Sequence, residues 1–120
     1  MSPQRLAFFD IGTNTILCLI AELNGAGRFA VLDDLAEIAR LGEGVDQSGR
    51  ISAEGERRSI EVLRNYLERC AKLGIGEVIA VGTSALRDAK NSSEVRARFK
   101  NELGLAVRVI SGNEEAAYSF

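Results

Sequence analysis

Three short stretches of this chain bring together residue types that can hold phosphate or activate water. The first is Asp10-Ile11-Gly12-Thr13-Asn14-Thr15. An apolar run, Leu6 to Ile11, delivers a carboxylate to its end, and a tight turn with two hydroxyls and an amide follows. Glycine lets backbone approach a ligand closely. Successive backbone N–H groups in such a turn form an anion-binding concavity. Asp10 would repel a bare phosphate, so it makes chemical sense there through Mg2+ or an activated water. The same residues also suit a plain hairpin turn whose Asp, Asn and Thr satisfy backbone groups.

The second stretch is Gly82-Thr83-Ser84-Ala85-Leu86-Arg87-Asp88-Ala89-Lys90-Asn91. A compact apolar run, Glu77 to Val81, again ends in glycine and hydroxyls, and ligand sites in open α/β sheets lie beyond the carboxyl ends of strands. Arg87 has the forked geometry to grip phosphate oxygens, while Lys90 offers a point charge. A helix cap with solvated charges is the competing account. The third stretch is Ile110-Ser111-Gly112-Asn113-Glu114-Glu115-Ala116. Ser111 and Glu114 fit a capping box. Glu115 has no part in that box and points to another face, where a carboxylate can serve as general base or simply complement the helix dipole.

The elements that must position these stretches follow from periodicity and turn chemistry. Leu6 to Ile11 and Ile16 to Leu23 flank Gly12 to Thr15 and predict a β-hairpin. Phe29 to Leu41 predicts a third strand, and Gly42 to Gly49 a loop. Ser52 caps a helix that carries Ile60, Leu63, Leu67 and Cys70 and stops at Gly74. A strand over 77–81 precedes one ambiguous helical turn over 85–90. A helix from Ser92 or Ser93 carries Val95, Phe99 and Leu103 and stops at Gly104. Leu105 to Ile110 is the last strand, and a helix opens near Gly112. The order is β-β-β-α-β-α-β-α, an α/β fold with a mixed sheet. Arg57-Arg58 and Arg96-Ala97-Arg98 read as solvated helix faces.

Bulk properties narrow the function classes. The 120 residues suit one domain, with 46% hydrophobic and 27% charged residues, ordinary values for a globular domain. The net charge of -2 argues against a general nucleic-acid or membrane binder. There is no histidine, which excludes His triads and His metal sites. Cys18 and Cys70 sit in apolar patterns and read as core thiols in a reducing compartment. Met1 to Arg5 and the run after it lack the cationic flank, long apolar run and small-residue cleavage site expected of a signal peptide, and no apolar stretch reaches the ~20 residues a membrane span needs. The cytoplasm is the expected location.

In order along the chain, the three stretches resemble a known family. Asp10 to Thr15 resembles the first phosphate loop of the actin / heat-shock-70 / sugar-kinase superfamily. Leu41-Gly42-Glu43-Gly44-Val45, Gly82 to Asn91 and Ile110 to Ala116 resemble the exopolyphosphatase / guanosine pentaphosphate phosphatase family. The likeness runs over nearly the whole chain. It implies a ribonuclease-H-like lobe, and hydrolysis of terminal phosphoanhydride bonds of inorganic polyphosphate or guanosine pentaphosphate with Mg2+. By resemblance Glu115 is the base that activates water and Arg87 contacts phosphate. Asp10 takes the metal, and Gly12, Thr13, Asn14 and Thr15 hold phosphate beside Thr83 and Ser84. Thr13 and Thr15 stand where serines are also common in the family, and both keep the hydroxyl.

The family's second glycine-rich phosphate loop lies beyond the Glu115 helix, and this chain stops at Phe120. The expectation is a single domain over 1–120, the N-terminal lobe of a two-lobed phosphatase with its C-terminal lobe absent. Such a lobe alone would turn over negligibly, and exposed apolar surface would favour a homo-oligomer. Two other readings stay open: an ATP-binding lobe of a superfamily kinase or ATPase, and a non-catalytic sensor of polyphosphate or guanosine tetraphosphate.

Overall fold

A computed structural model describes residues 4–113. Strands β1 (Gln4–Ile11), β2 (Thr15–Leu23) and β3 (Phe29–Ile38) come first, then helices α1 (Val45–Ser48) and α2 (Ala53–Lys72). Strand β4 (Glu77–Gly82), helices α3 (Ser84–Asp88) and α4 (Ser92–Leu103), and strand β5 (Val107–Val109) complete the order. The sheet runs β3-β2-β1-β4-β5. The first three strands pair antiparallel, and β1, β4 and β5 pair parallel. A mixed sheet results, as expected.

Alternate side chains of a strand point to opposite faces. Ala7, Phe9 and Ile11 of β1 and Ile16, Cys18 and Ile20 of β2 are buried on one face. They form the core with Ile60, Leu63, Tyr66 and Cys70 of α2 and Val95 and Phe99 of α4. On the other face Leu17 and Ile79 remain exposed.

Helix α2 starts where its chemistry says it should. The Ser52 hydroxyl accepts from Gly55 N at 3.0 Å, acidic Glu54 and Glu56 fill the first turn, and basic Arg69 and Lys72 fill the last. Gly74 leaves the helix with φ 65°, the left-handed conformation that favours glycine. Tyr66 fixes α2 on the sheet: its hydroxyl donates to Ile16 O at 2.6 Å, and its ring lies 5.6 Å from Phe9.

Four expectations are corrected. The third strand stops at Ile38. Ala39 and Leu41 continue the apolar pattern because they are fully buried, yet the Ala39 and Arg40 N–H groups leave the ladder and Arg40 has φ 53°. The loop after it contains α1, bounded by Gly44 and Gly49 at positive φ. The last strand is only Val107–Val109. Finally, Arg58 and Arg98 are not merely solvated. Arg98 clasps Glu56 with two bonds of 2.5 and 2.7 Å, tying α4 to α2, while Arg57 does stay on an exposed face with Glu54 and Glu61. The final helix is described only at 112–113, so its remainder lies outside the described residues.

Burial pushes the Cys18 thiol up to about 12, with Cys70 and Asp33 adding to the effect. Burial likewise raises Cys70, and pushes the Tyr66 phenol up to about 12. The folded chain therefore keeps protons that the unfolded chain releases. Stability is full below an unfolded thiol value near 9.0 and falls as pH rises from there toward about 12. Urea midpoints across that range check this, and Cys18→Ala flattens the decline.

Candidate active site

The parallel register sets Ile11 of β1 beside Gly82 of β4, and Gly82 beside Val109 of β5. Three strand ends thus open on one edge of the sheet. The β1–β2 tip, the β4–α3 turn and Ile110 meet there, the usual place for a site in such a sheet.

The tip is a tight turn. Gly12 N donates to Thr15 O at 3.0 Å, and a Cβ on Gly12 would stand 2.7 Å from that same oxygen. The β3–α1 loop consumes the tip's carbonyls. Gly42 N donates to Thr13 O at 2.8 Å, and the N–H groups of Ala39 and Arg40 donate to Asn14 O at 3.0 and 2.9 Å. No acceptor among the described residues takes the N–H groups of Thr13 and Asn14, and both residues are exposed. The tip is therefore a donor surface of the kind that binds anions. The Leu41 to Gly44 stretch is no slack loop: a Cβ on Gly42 would collide with the Thr13 methyl and come 3.3 Å from Ala85 Cβ.

The second stretch closes against the first. Thr83 N donates to Ile11 O at 3.2 Å, and Thr83 is buried with its hydroxyl turned toward that oxygen. The Ser84 and Thr13 hydroxyls lie 2.6 Å apart. One proton is spent between them, which leaves one hydroxyl hydrogen to point elsewhere. Of the expected phosphate contacts, Thr13, Asn14 and Ser84 reach the surface together, Gly12 and Thr15 shape the turn, and Thr83 faces inward.

Arg87 reaches across to the end of β5. Its Nη1 donates to Ile110 O at 3.2 Å, while Ile110 N donates to Gly82 O at 3.1 Å. Its Nε lies 3.6 Å from Asp88 Oδ1. Asp10 alternates onto the sheet face opposite the helices, half-buried, with Oδ1 closed off from solvent. Among the described residues no group of three His, Cys, Asp or Glu side chains could cage a metal. A single hard carboxylate two residues before Gly12 would nonetheless fit Mg2+, which takes one or two protein carboxylates and completes its shell with water and phosphate oxygens. Glu114 and Glu115 lie outside the described residues.

Two contributors escape sequence reasoning. Asn91 is buried and holds both backbone groups of Ile51, accepting from its N at 2.8 Å and donating to its O at 2.9 Å. That pair joins the segment after α1 to the one after α3. Arg58 donates through Nε to Ala39 O at 2.8 Å and through Nη2 to Arg40 O at 3.1 Å. The hint was Gly55 and Ser59 beside it, both buried on α2, small residues that let another backbone come close.

A five-strand mixed sheet in this order, with helices packed on it and glycine–hydroxyl turns at its carboxyl edge, defines a ribonuclease-H-like lobe. Residues 19–120 match the Ppx/GppA phosphatase family, and the chain belongs to that family. Exopolyphosphatase 1 of Mycobacterium tuberculosis is 30% identical over 117 residues, covering 98% of this chain and 34% of the relative. Exopolyphosphatase 2 of the same organism is 37% identical over 128 residues, covering 100% of this chain and 40% of the relative. The crystal structure of the Aquifex aeolicus member of the Ppx/GppA family superposes with a TM-score of 0.92 at 32% identity, covering 98% of this chain and 38% of that one. The chain thus spans well under half the length of these relatives.

The close approach at Gly42 is testable. Gly42→Ala should push Thr13 away from Ser84 and cost about 1–3 kcal/mol, the usual range for overpacking. Gly25→Ala, where a Cβ meets nothing within 4 Å, should stay within about 0.5 kcal/mol. Urea unfolding of the two variants separates these outcomes.

Proposed function

We propose that this chain is the phosphate-gripping N-terminal lobe of an enzyme that hydrolyses terminal phosphoanhydride bonds. Its substrate is inorganic polyphosphate or guanosine pentaphosphate. The observation that carries this reading is the hairpin tip, where the Thr13 and Asn14 carbonyls are hydrogen-bonded while no described acceptor takes the N–H groups of the same two exposed residues, beside a hydroxyl pair. The names of the curated relatives favour polyphosphate.

Phosphoryl transfer is mostly positioning and charge stabilisation. The Thr13 and Asn14 N–H groups and the Thr13/Ser84 hydroxyls hold oxygens of the terminal phosphoryl group. Arg87, steadied on Ile110 O, neutralises charge there. Asp10 would hold Mg2+, which when bound would supply countercharge to the phosphate. Glu115 takes a proton from water as the water oxygen bonds to the terminal phosphorus. The anhydride P–O bond breaks, orthophosphate leaves, and the chain is shorter by one unit. A second lobe of the full-length protein supplies the other wall of the cleft. A reducing, cytoplasmic setting agrees with the free thiols of Cys18 and Cys70. No helix among the described residues is long and apolar enough to cross a membrane.

The test is phosphate release from long-chain polyphosphate by the full-length protein with Mg2+. Glu115→Gln should fold normally and lose about 10²–10⁴-fold in rate, the usual contribution of a general base. Removing Mg2+ with a chelator should abolish release. Unchanged release from Glu115→Gln sinks the assignment, and hydrolysis of ATP without hydrolysis of polyphosphate moves it to the kinase and ATPase class.

A further inference from the structure

Arg58 sits on α2, behind the β3–α1 loop as seen from the site. Its guanidinium holds the carbonyls of Ala39 and Arg40. The carbonyl of Ala39 and the N–H of Arg40 belong to one peptide unit. On its other side that unit donates to Asn14 O at 2.9 Å. One rigid plane therefore has the guanidinium at its oxygen end and the hairpin tip at its hydrogen end.

Peptide planarity makes the two contacts inseparable. If the plane rotates, both are lost together. A charged donor on the carbonyl also polarises the peptide and strengthens the bond its N–H makes. The plane needs such a hold, because Arg40 has φ 53°, a strained conformation for a residue with a side chain. Several features serve this contact. A Cβ on Gly55 would stand 3.1 Å from Leu41 O and 3.2 Å from Arg40 O, tighter than ordinary contact, so glycine lets the helix lie this close to the loop without displacing either carbonyl. Glu43 and Glu54 lie 3.4 and 3.6 Å from the guanidinium and fix its orientation. The side chain is three-quarters covered. The neighbouring Arg57 reaches only Glu54 and Glu61 on the exposed face.

We infer that Arg58 is a positioning residue for the phosphate site, acting through the Ala39–Arg40 peptide plane to keep the carbonyl of Asn14 engaged and turned away from a bound anion. The inference rests on the reading that the Thr13–Asn14 tip holds phosphate. Lysine cannot replace this arginine, since an ammonium lacks the rigid fork that spans two carbonyls.

The experiment uses the full-length protein, long-chain polyphosphate and Mg2+. Arg58→Ala and Arg58→Lys should each lose about tenfold to a hundredfold in kcat/KM, the scale expected for a small misplacement of binding groups. Thermal melts give the folded fraction of each variant. Arg57→Ala should match the wild type. Methylguanidinium added to Arg58→Ala should restore activity, and methylammonium at equal concentration should not. A loss explained by the unfolded fraction alone, or no rescue by methylguanidinium, overturns the inference. If Arg58→Ala does not fold, Arg58→Lys decides, and wild-type kcat/KM in that variant also overturns it. Thr13→Ala separates this from failure of the functional reading: an inert Thr13→Ala condemns the site, whereas an impaired one beside a normal Arg58→Lys condemns only the role of Arg58.

Discussion

The parallel pairing of β1 with β4 is the contact on which the candidate site depends. It joins residues about seventy positions apart, and its register sets Ile11 against Gly82. A one-residue slip would turn every side chain of the strand to the wrong face. Asp10 would then enter the core, and Thr13 would lose Ser84. The core prevents this slip. Phe9, Ile11, Ile16 and Ile20 are closed off on the helix side, and Tyr66 pins α2 to Ile16 O. The hydrophobic effect thus fixes a register whose chemical consequence appears several residues away, at the sheet edge.

At that edge, the way backbone groups are satisfied decides what the site can bind. A hairpin tip in water carries donors and acceptors alike and prefers neither sign of ligand. Here three N–H groups from the β3–α1 loop take the acceptors of Thr13 and Asn14, and no acceptor among the described residues takes their donors. The anion preference is local. It needs no basic surplus, so a net charge of -2 does not count against the proposed phosphate site. It also needs no large motion, because Gly12 and Gly42 are packed too tightly for even one added methyl.

How much of this was legible in the sequence depended on how local each cause was. The hairpin, the Ser52 cap and the Gly104 stop follow from neighbours a few residues apart, and all three stand. The end of the third strand was not legible. Ala39 and Leu41 look like strand residues because apolar alternation reports burial, and a buried loop satisfies it equally well. Thr83 and Ser84 look interchangeable as hydroxyls, yet only the exit angle of β4 decides that one seals the sheet and the other meets Thr13. Arg57 and Arg58 are adjacent and identical in type. Their different fates come entirely from what α2 packs against, and no periodicity carries that information. The motifs were visible one by one, and their convergence required the sheet order.

On the proposed reading, the described lobe would be stronger as a grip than as a catalyst. Donors come from backbone at one edge, so the proposed phosphate binding would need little reorganisation and lose little entropy. Hydrolysis asks for more. Water must be deprotonated and charge must be balanced on oxygens that face away from the sheet, and the described residues bring one half-buried carboxylate and one arginine to that edge. Asp10 cannot serve both as a metal ligand and as the base for water, since a carboxylate engaged with a divalent cation is a poor proton acceptor. A separate base is therefore a chemical requirement of the proposed reaction.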